Sequence, residues 1–140
     1  MENIKVSELR IGNHVLFIQS KNDFDTITSI STQDVKDGIY ESVHLNYESS
    51  SKLIQHLQPI PLSEDWLIKF GFEKDDNGVE MHDQDYCQWY QKEFPIIGVL
   101  CQSSNNEYLF DENTDTLRIK YVHQLQNLVY GITQKEVILS

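Results

Sequence analysis

His123 and Asn127 stand four residues apart in the run YVHQLQNLVYGIT, Tyr121 to Thr133, and four residues make about one helical turn. Imidazole titrates near neutral pH, so a histidine on such a polar face could act as a general base. The other reactive residues add little to that case. The five histidines, His14, His44, His56, His82 and His123, show no HxH, HxxxH or HExxH spacing. Glu80, His82 and Gln84 would share one face of a strand, with Asp83 and Asp85 on the other. One histidine flanked by carboxylates falls short of the three or four ligands a transition metal takes. EKDDNGVEMHDQ resembles a calcium loop only in part. With Gly78 at the sixth position, Glu73 stands first, where Asp belongs, and Gln84 stands twelfth, where a bidentate Glu belongs. No metal and no cofactor are expected. Cys87 lies among aromatic residues and Cys101 ends an apolar run, so both read as packing rather than as nucleophiles, which need a nearby base and an electropositive setting. No GxSxG, P-loop or GxGxxG is present. The sequence therefore reads as non-catalytic.

Charge is more informative. Eleven basic residues stand against 22 acidic ones, for a net charge of −11. Residues 61–115 hold 13 acidic and 3 basic residues, a local charge of −10, whereas residues 116–140 carry +2. Binding to a phosphate backbone depends on clustered Lys and Arg, so direct contact with nucleic acid is not expected. An acidic surface suits either solubility or steering toward a basic protein partner. Asp75, Asp76, Asp83 and Asp85 would carry such contacts. Trp89 and Tyr90 would join them, because Tyr and Trp supply large rigid area with a polar handle. In that strand Tyr86, Gln88, Tyr90 and Lys92 share one face and Cys87, Trp89 and Gln91 the other, so one face is expected to be core.

The elements that would position these residues fall into two halves. In residues 1–60, Gly12-Asn13 interrupts a β-prone run before a strand from His14 to Ile18. DTITSIS is a second strand, Asp37-Gly38 a turn, Ile39 to Tyr47 a third strand, and KLIQHLQPI a returning segment. This predicts a small β-sheet or SH3-like barrel. Pro59 and Pro61 mark the junction. Ser63 then reads as the N-cap of a helix from Glu64 to Phe70 that stops at Gly71, with Trp66, Leu67 and Phe70 on its buried side. Asn77-Gly78 reads as a hairpin turn. YCQWYQKEF, IIGVLCQ and EYLF follow as strands, Asp111 to Asp115 as a loop, and the last element as a helix. The expected class is α+β: a β-rich subdomain over 1–60, and an α-β-β-β-α subdomain over 61–140 with three to four antiparallel strands, packed together as one unit. On a helical wheel Tyr121, Val122, Leu125, Leu128, Val129 and Ile132 form an apolar arc, opposite His123, Gln126, Asn127 and Tyr130. Gly131 is expected to end that helix.

No run of about 18 apolar residues is present, and MENIKVSELR lacks the apolar segment of a signal peptide. A cytoplasmic protein without a membrane span is the expectation, with both cysteines reduced and a disulfide possible only if their strands are neighbours.

ELRIGNHV, IPLSEDWLIKFGF and IKYVHQLQNLVYGIT resemble three signature stretches of a family of small uncharacterised proteins from Bacteroidota genomes and their phages. The last family motif resembles YVHQLQNLYFALTGEEL; here Gly131 stands in place of Ala and Gln134 in place of Gly. The resemblance implies a bacterial or phage setting and no particular activity. Together with the charge, it leads to the expectation of an acidic, non-catalytic protein-binding protein, an inhibitor of a host defence or nucleic-acid-processing protein. Its contact residues would be the four aspartates, Trp89, Tyr90, His123 and Asn127. One alternative is an accessory protein acidic only for solubility, and another is an enzyme using His123.

Overall fold

A computed structural model of the chain describes residues 4–46, 50–81, 84–91, 100–103, 105–112 and 115–139. The fold is α+β, with two antiparallel five-stranded sheets and a helix near the C-terminal end. The chain divides into two compact units, residues 1–60 and 61–140.

The first unit contains β1 (His14–Phe17), β2 (Asp25–Val35), β3 (Gly38–Leu45), β4 (Lys52–Leu53) and β5 (Leu57–Gln58), in the order β4-β3-β2-β1-β5. Gly12 takes the positive φ of 96° needed at the bend, and its N–H donates to Ile27 O at 2.8 Å. A two-residue turn at Lys36-Asp37 joins β2 to β3, with Gly38 just after it at φ 139°. Ile4, Val15, Phe17, Ile27, Val43, Leu45 and Leu57 form the core. Burying each large apolar side chain is worth about 1.5–3 kcal/mol. The outer half of the β2–β3 hairpin lies beyond that core, and Val35, Ile39 and Tyr40 are exposed there.

In the second unit α1 (Glu64–Lys69) precedes the meander β6 (Phe72–Met81), β7 (Gln84–Gln91), β8 (Leu100–Ser103), β9 (Tyr108–Glu112) and β10 (Asp115–Ile119), ordered β10-β9-β8-β7-β6. The helix α2 (Val122–Thr133) follows. Ser63 caps α1, its Oγ accepting from Trp66 N–H at 3.4 Å, and Gly71 follows the helix at φ 83°. Gln91 sits against that glycine: its Nε2 donates to Phe70 O, and a Cβ on Gly71 would lie 2.8 Å from the same nitrogen.

Four expectations change. Asn77-Gly78 is not a turn but lies inside β6, where the pairing with β7 shifts between Asp75 and Val79, as glycine does at a bulge. The polar stretch after Phe110 is largely strand, since β9 reaches Glu112 and β10 begins at Asp115; pairing with β9 supplies the hydrogen bonds that propensity alone did not suggest. The sheet thus has five strands rather than three or four. Finally, α2 runs through Gly131 to Thr133, and the left-handed residue is Gln134 at φ 60°. An exposed glycine weakens a helix by about 1 kcal/mol without breaking it. Among the described residues no helix is long and apolar enough to cross a membrane.

Candidate functional site

Two surfaces of the second unit carry the chemistry, one on each face of its sheet. Strand β6 is an edge strand, and its register with β7 pairs Glu73 with Tyr90 and Asp75 with Gln88. These four residues therefore share a face. Glu73 and Tyr90 are exposed and Asp75 is half-buried, and the Tyr90 hydroxyl donates to Glu73 Oε2 at 3.0 Å. Trp89 and Gln91 point the other way and are buried.

That other face is the one covered near the edge by α1. Register places Trp89 beside Leu100, Cys87 beside Gln102, and Gln102 beside Tyr108. Trp89 Nε1–H donates to Gln102 Oε1 at 2.8 Å, and Gln102 Nε2–H donates to Asn106 Oδ1 at 3.0 Å. Asn106 holds a positive φ of 59°, in the tight turn before β9. The chain of amides ends at a cleft of about 360 Å³ lined by Leu62, Ser63, Glu64, Asp65, Asn106 and Tyr108. Lys74 Nζ donates to Glu64 Oε1 at 2.9 Å and lies over the Trp89 ring, 5.8 Å from its centroid. The hydrogen bond from Lys74 holds the Glu64 carboxyl below its usual range, against a smaller opposing effect of burial. Burial, and then the Glu64 charge, raise the Tyr108 hydroxyl above its usual value.

Of the residues singled out from the sequence, Asp75 and Tyr90 come together on the exposed face. Trp89 is on the opposite face and 2% exposed, where it builds the core and the amide chain. The backbone of Asp76 lies in β6 and that of Asp85 in β7, opposite Glu80. Asp83 lies outside the described residues, as do His82, Lys92 and Phe94. His123 and Asn127 are both on α2, remote in sequence from the hairpin. His123 is 1% exposed and stacked on Tyr121 at 5.9 Å between ring centroids, and Gln126 is equally buried; Asn127 is half-buried. The arc read as polar is thus partly enclosed, while Ile132 of the apolar arc is 38% exposed. The His123 ring is therefore enclosed rather than presented on an open polar face.

The cysteines sit on neighbouring strands, yet Cys87 pairs with Gln102 and Cys101 with Gln88, so they face opposite sides of the sheet and both are free thiols. Among the described residues no three His, Cys, Asp or Glu side chains gather as metal ligands. The cleft had no counterpart in the sequence reading. Its two walls are about forty residues apart in sequence, and Glu64 and Asp65 fit the first turn of any helix. No family model matches the chain, and no curated protein or solved structure is significantly similar to it.

Proposed function

We propose that the chain is a non-catalytic docking protein whose second unit meets a basic protein surface. The observation that carries this reading is the exposed face of the β6–β7 hairpin. It sets Glu73 and Asp75 beside an exposed tyrosine, at a sheet edge and within a stretch carrying −10. Carboxylates steer a basic partner and Tyr90 supplies rigid contact area, the usual division of labour at an interface. The resemblance to Bacteroidota and phage proteins extends the proposal to a class of partner. That partner is a host defence or nucleic-acid-processing protein whose phosphate-binding surface the carboxylates would occupy.

The test is affinity capture of the tagged chain from a bacterial host lysate, with and without nuclease. The expected result is a nucleic-acid-processing protein retained after nuclease and released by high salt, and not retained by a variant with Asp75, Asp76, Asp83 and Asp85 changed to Asn. Capture unaffected by those four changes would overturn the reading in favour of acidity that serves solubility alone.

A further inference from the structure

The outer half of the β2–β3 hairpin, in the first unit, leaves one strand edge open. β1 pairs with β2 only at Asp25 and Thr26, and the bonds from Gly12 and Asn13 reach no further than Ile27. Beyond a register shift between Ile27 and Ser29, β2 and β3 pair without interruption from Ser29–His44 to Val35–Gly38. The Val35–Gly38 pair closes a two-residue turn, so its members exchange both backbone hydrogen bonds, and every second pair along the ladder does the same. The intervening residues of β2, Ile30, Thr32 and Asp34, therefore turn their N–H and C=O groups away from β3. No described residue bonds those groups.

We propose that this edge receives an extended segment of a partner protein as an added strand, antiparallel to β2, with a basic residue opposite Asp34. An unpaired edge is a template for another chain, and this one runs beside apolar surface: Val35 is 47% and Ile39 67% exposed. Pairing sets Thr32 beside Glu41 and Asp34 beside Ile39 on one face, and these four residues with Val6 line a hollow of about 390 Å³. Alternate side chains of an added strand point to that same face. The open backbone groups thus give affinity and the hollow gives choice of side chain, as in other cases of strand addition.

Charge decides the occupant. In residues 30–41, Asp34, Asp37 and Glu41 stand against Lys36 alone, and no ion pair engages any of them among the described residues. Opposite charges directly across a ladder stabilise it, and like charges destabilise it. A charge on an edge strand also disfavours pairing between copies of one chain. A second copy would bring its own Asp34 and Glu41, and a further net charge of −11, to the same face. A basic strand meets the opposite condition. Register then sets its pattern from N- to C-terminus. Lys or Arg lies opposite Asp34, a β-branched residue opposite Thr32, and an apolar residue opposite Ile30, which packs against the core. Polar residues alternate with these three.

The experiment is an NMR titration of the full chain with the peptide acetyl-Lys-Thr-Val-Thr-Ile-amide, following the backbone amides of Ile30, Thr32 and Asp34. Saturable shifts are expected, with half-saturation at about 1 mM or below, and the three amides should exchange more slowly with solvent. The same peptide with Glu in place of Lys should bind at least about threefold more weakly. The peptide N-methylated at Val cannot donate to the Thr32 carbonyl and should give no saturable shift. Asp34→Lys, at an exposed position, should reverse the preference between the Lys and Glu peptides while the amide shifts of β3 stay in place. Absence of saturation, equal binding of the Glu or N-methylated peptide, or an unreversed preference in Asp34→Lys would each overturn the proposal. Protection of the same amides that rises with chain concentration, without peptide, would overturn it in favour of a second copy. Asp75, Asp76, Asp83 and Asp85 take no part in this pairing, so the outcome is separate from that of the capture experiment.

Discussion

Gly71 shows how much one residue can be asked to do. It follows α1 in the left-handed region at φ 83°, and its missing Cβ leaves room for the Gln91 amide that satisfies the Phe70 carbonyl. An alanine there would adopt a disfavoured backbone conformation, at about 1–2 kcal/mol, and would also push Gln91 off that carbonyl. Gly71→Ala should therefore lower stability to urea by about 2–3 kcal/mol, and a loss under 0.5 kcal/mol would show that Gln91 is not held as described. The Glu64–Lys74 pair makes a smaller, pH-dependent claim. The folded carboxyl titrates below its usual value, chiefly because Lys74 donates to it. The pair's contribution is complete above the unfolded glutamate pKa of about 4.3 and is lost as pH falls through the folded value. Lys74→Met should move the Glu64 titration, followed by carboxyl NMR, back up toward about 4.3. Both partners are more than a third exposed, so the effect on stability should be small.

At the scale of elements, α2 locates what sequence could and could not reveal. Its existence follows from periodicity, but its end was misplaced because a glycine within a helix resembles a glycine after one. No atom lies within 4 Å of where a Cβ on Gly131 would stand, so Gly131→Ala should stabilise by about 0.5–1 kcal/mol. Gln134 instead holds the left-handed conformation at φ 60°, so Gln134→Gly should stabilise by a similar amount, and urea melts of both variants test the assignment. The helix wheel ranked faces by polarity, whereas burial depends on what covers a face, and His123 and Gln126 are covered. Strand parity likewise separated Trp89 from Tyr90 without saying which side was core. The capped helix α1 and the break at Pro59 and Pro61 were legible because capping and proline chemistry are local. The fifth strand, β10, and the bulge at Asn77-Gly78 were not, because both are set by pairing with the neighbouring strand of a hairpin, β9 or β7, which residue propensity alone does not register. The cleft was hidden because its two walls are about forty residues apart in sequence.

For the whole molecule the decisive quantity is a net charge of −11, and salt acts on it in two opposed ways. Within the chain, like charges repel in the folded state, so screening should stabilise. Between the chain and a basic partner, opposite charges attract, so screening should weaken association. The screening length falls from about 10 Å at 0.1 M to about 3 Å at 1 M. Raising potassium chloride from 0.1 to 0.5 M should therefore raise the stability of the chain by about 0.5–1 kcal/mol, a shift of roughly 2–8 °C in melting temperature for units of this size. The same change should release the captured partner. The Asp75, Asp76, Asp83 and Asp85 to Asn variant should melt higher at low salt, respond less to added salt and capture nothing. If acidity served solubility alone, that variant would still show the altered melting behaviour while every retained protein stayed retained. Melting and capture measured on one pair of proteins across one salt series thus separate a charge that repels itself from a charge that recruits.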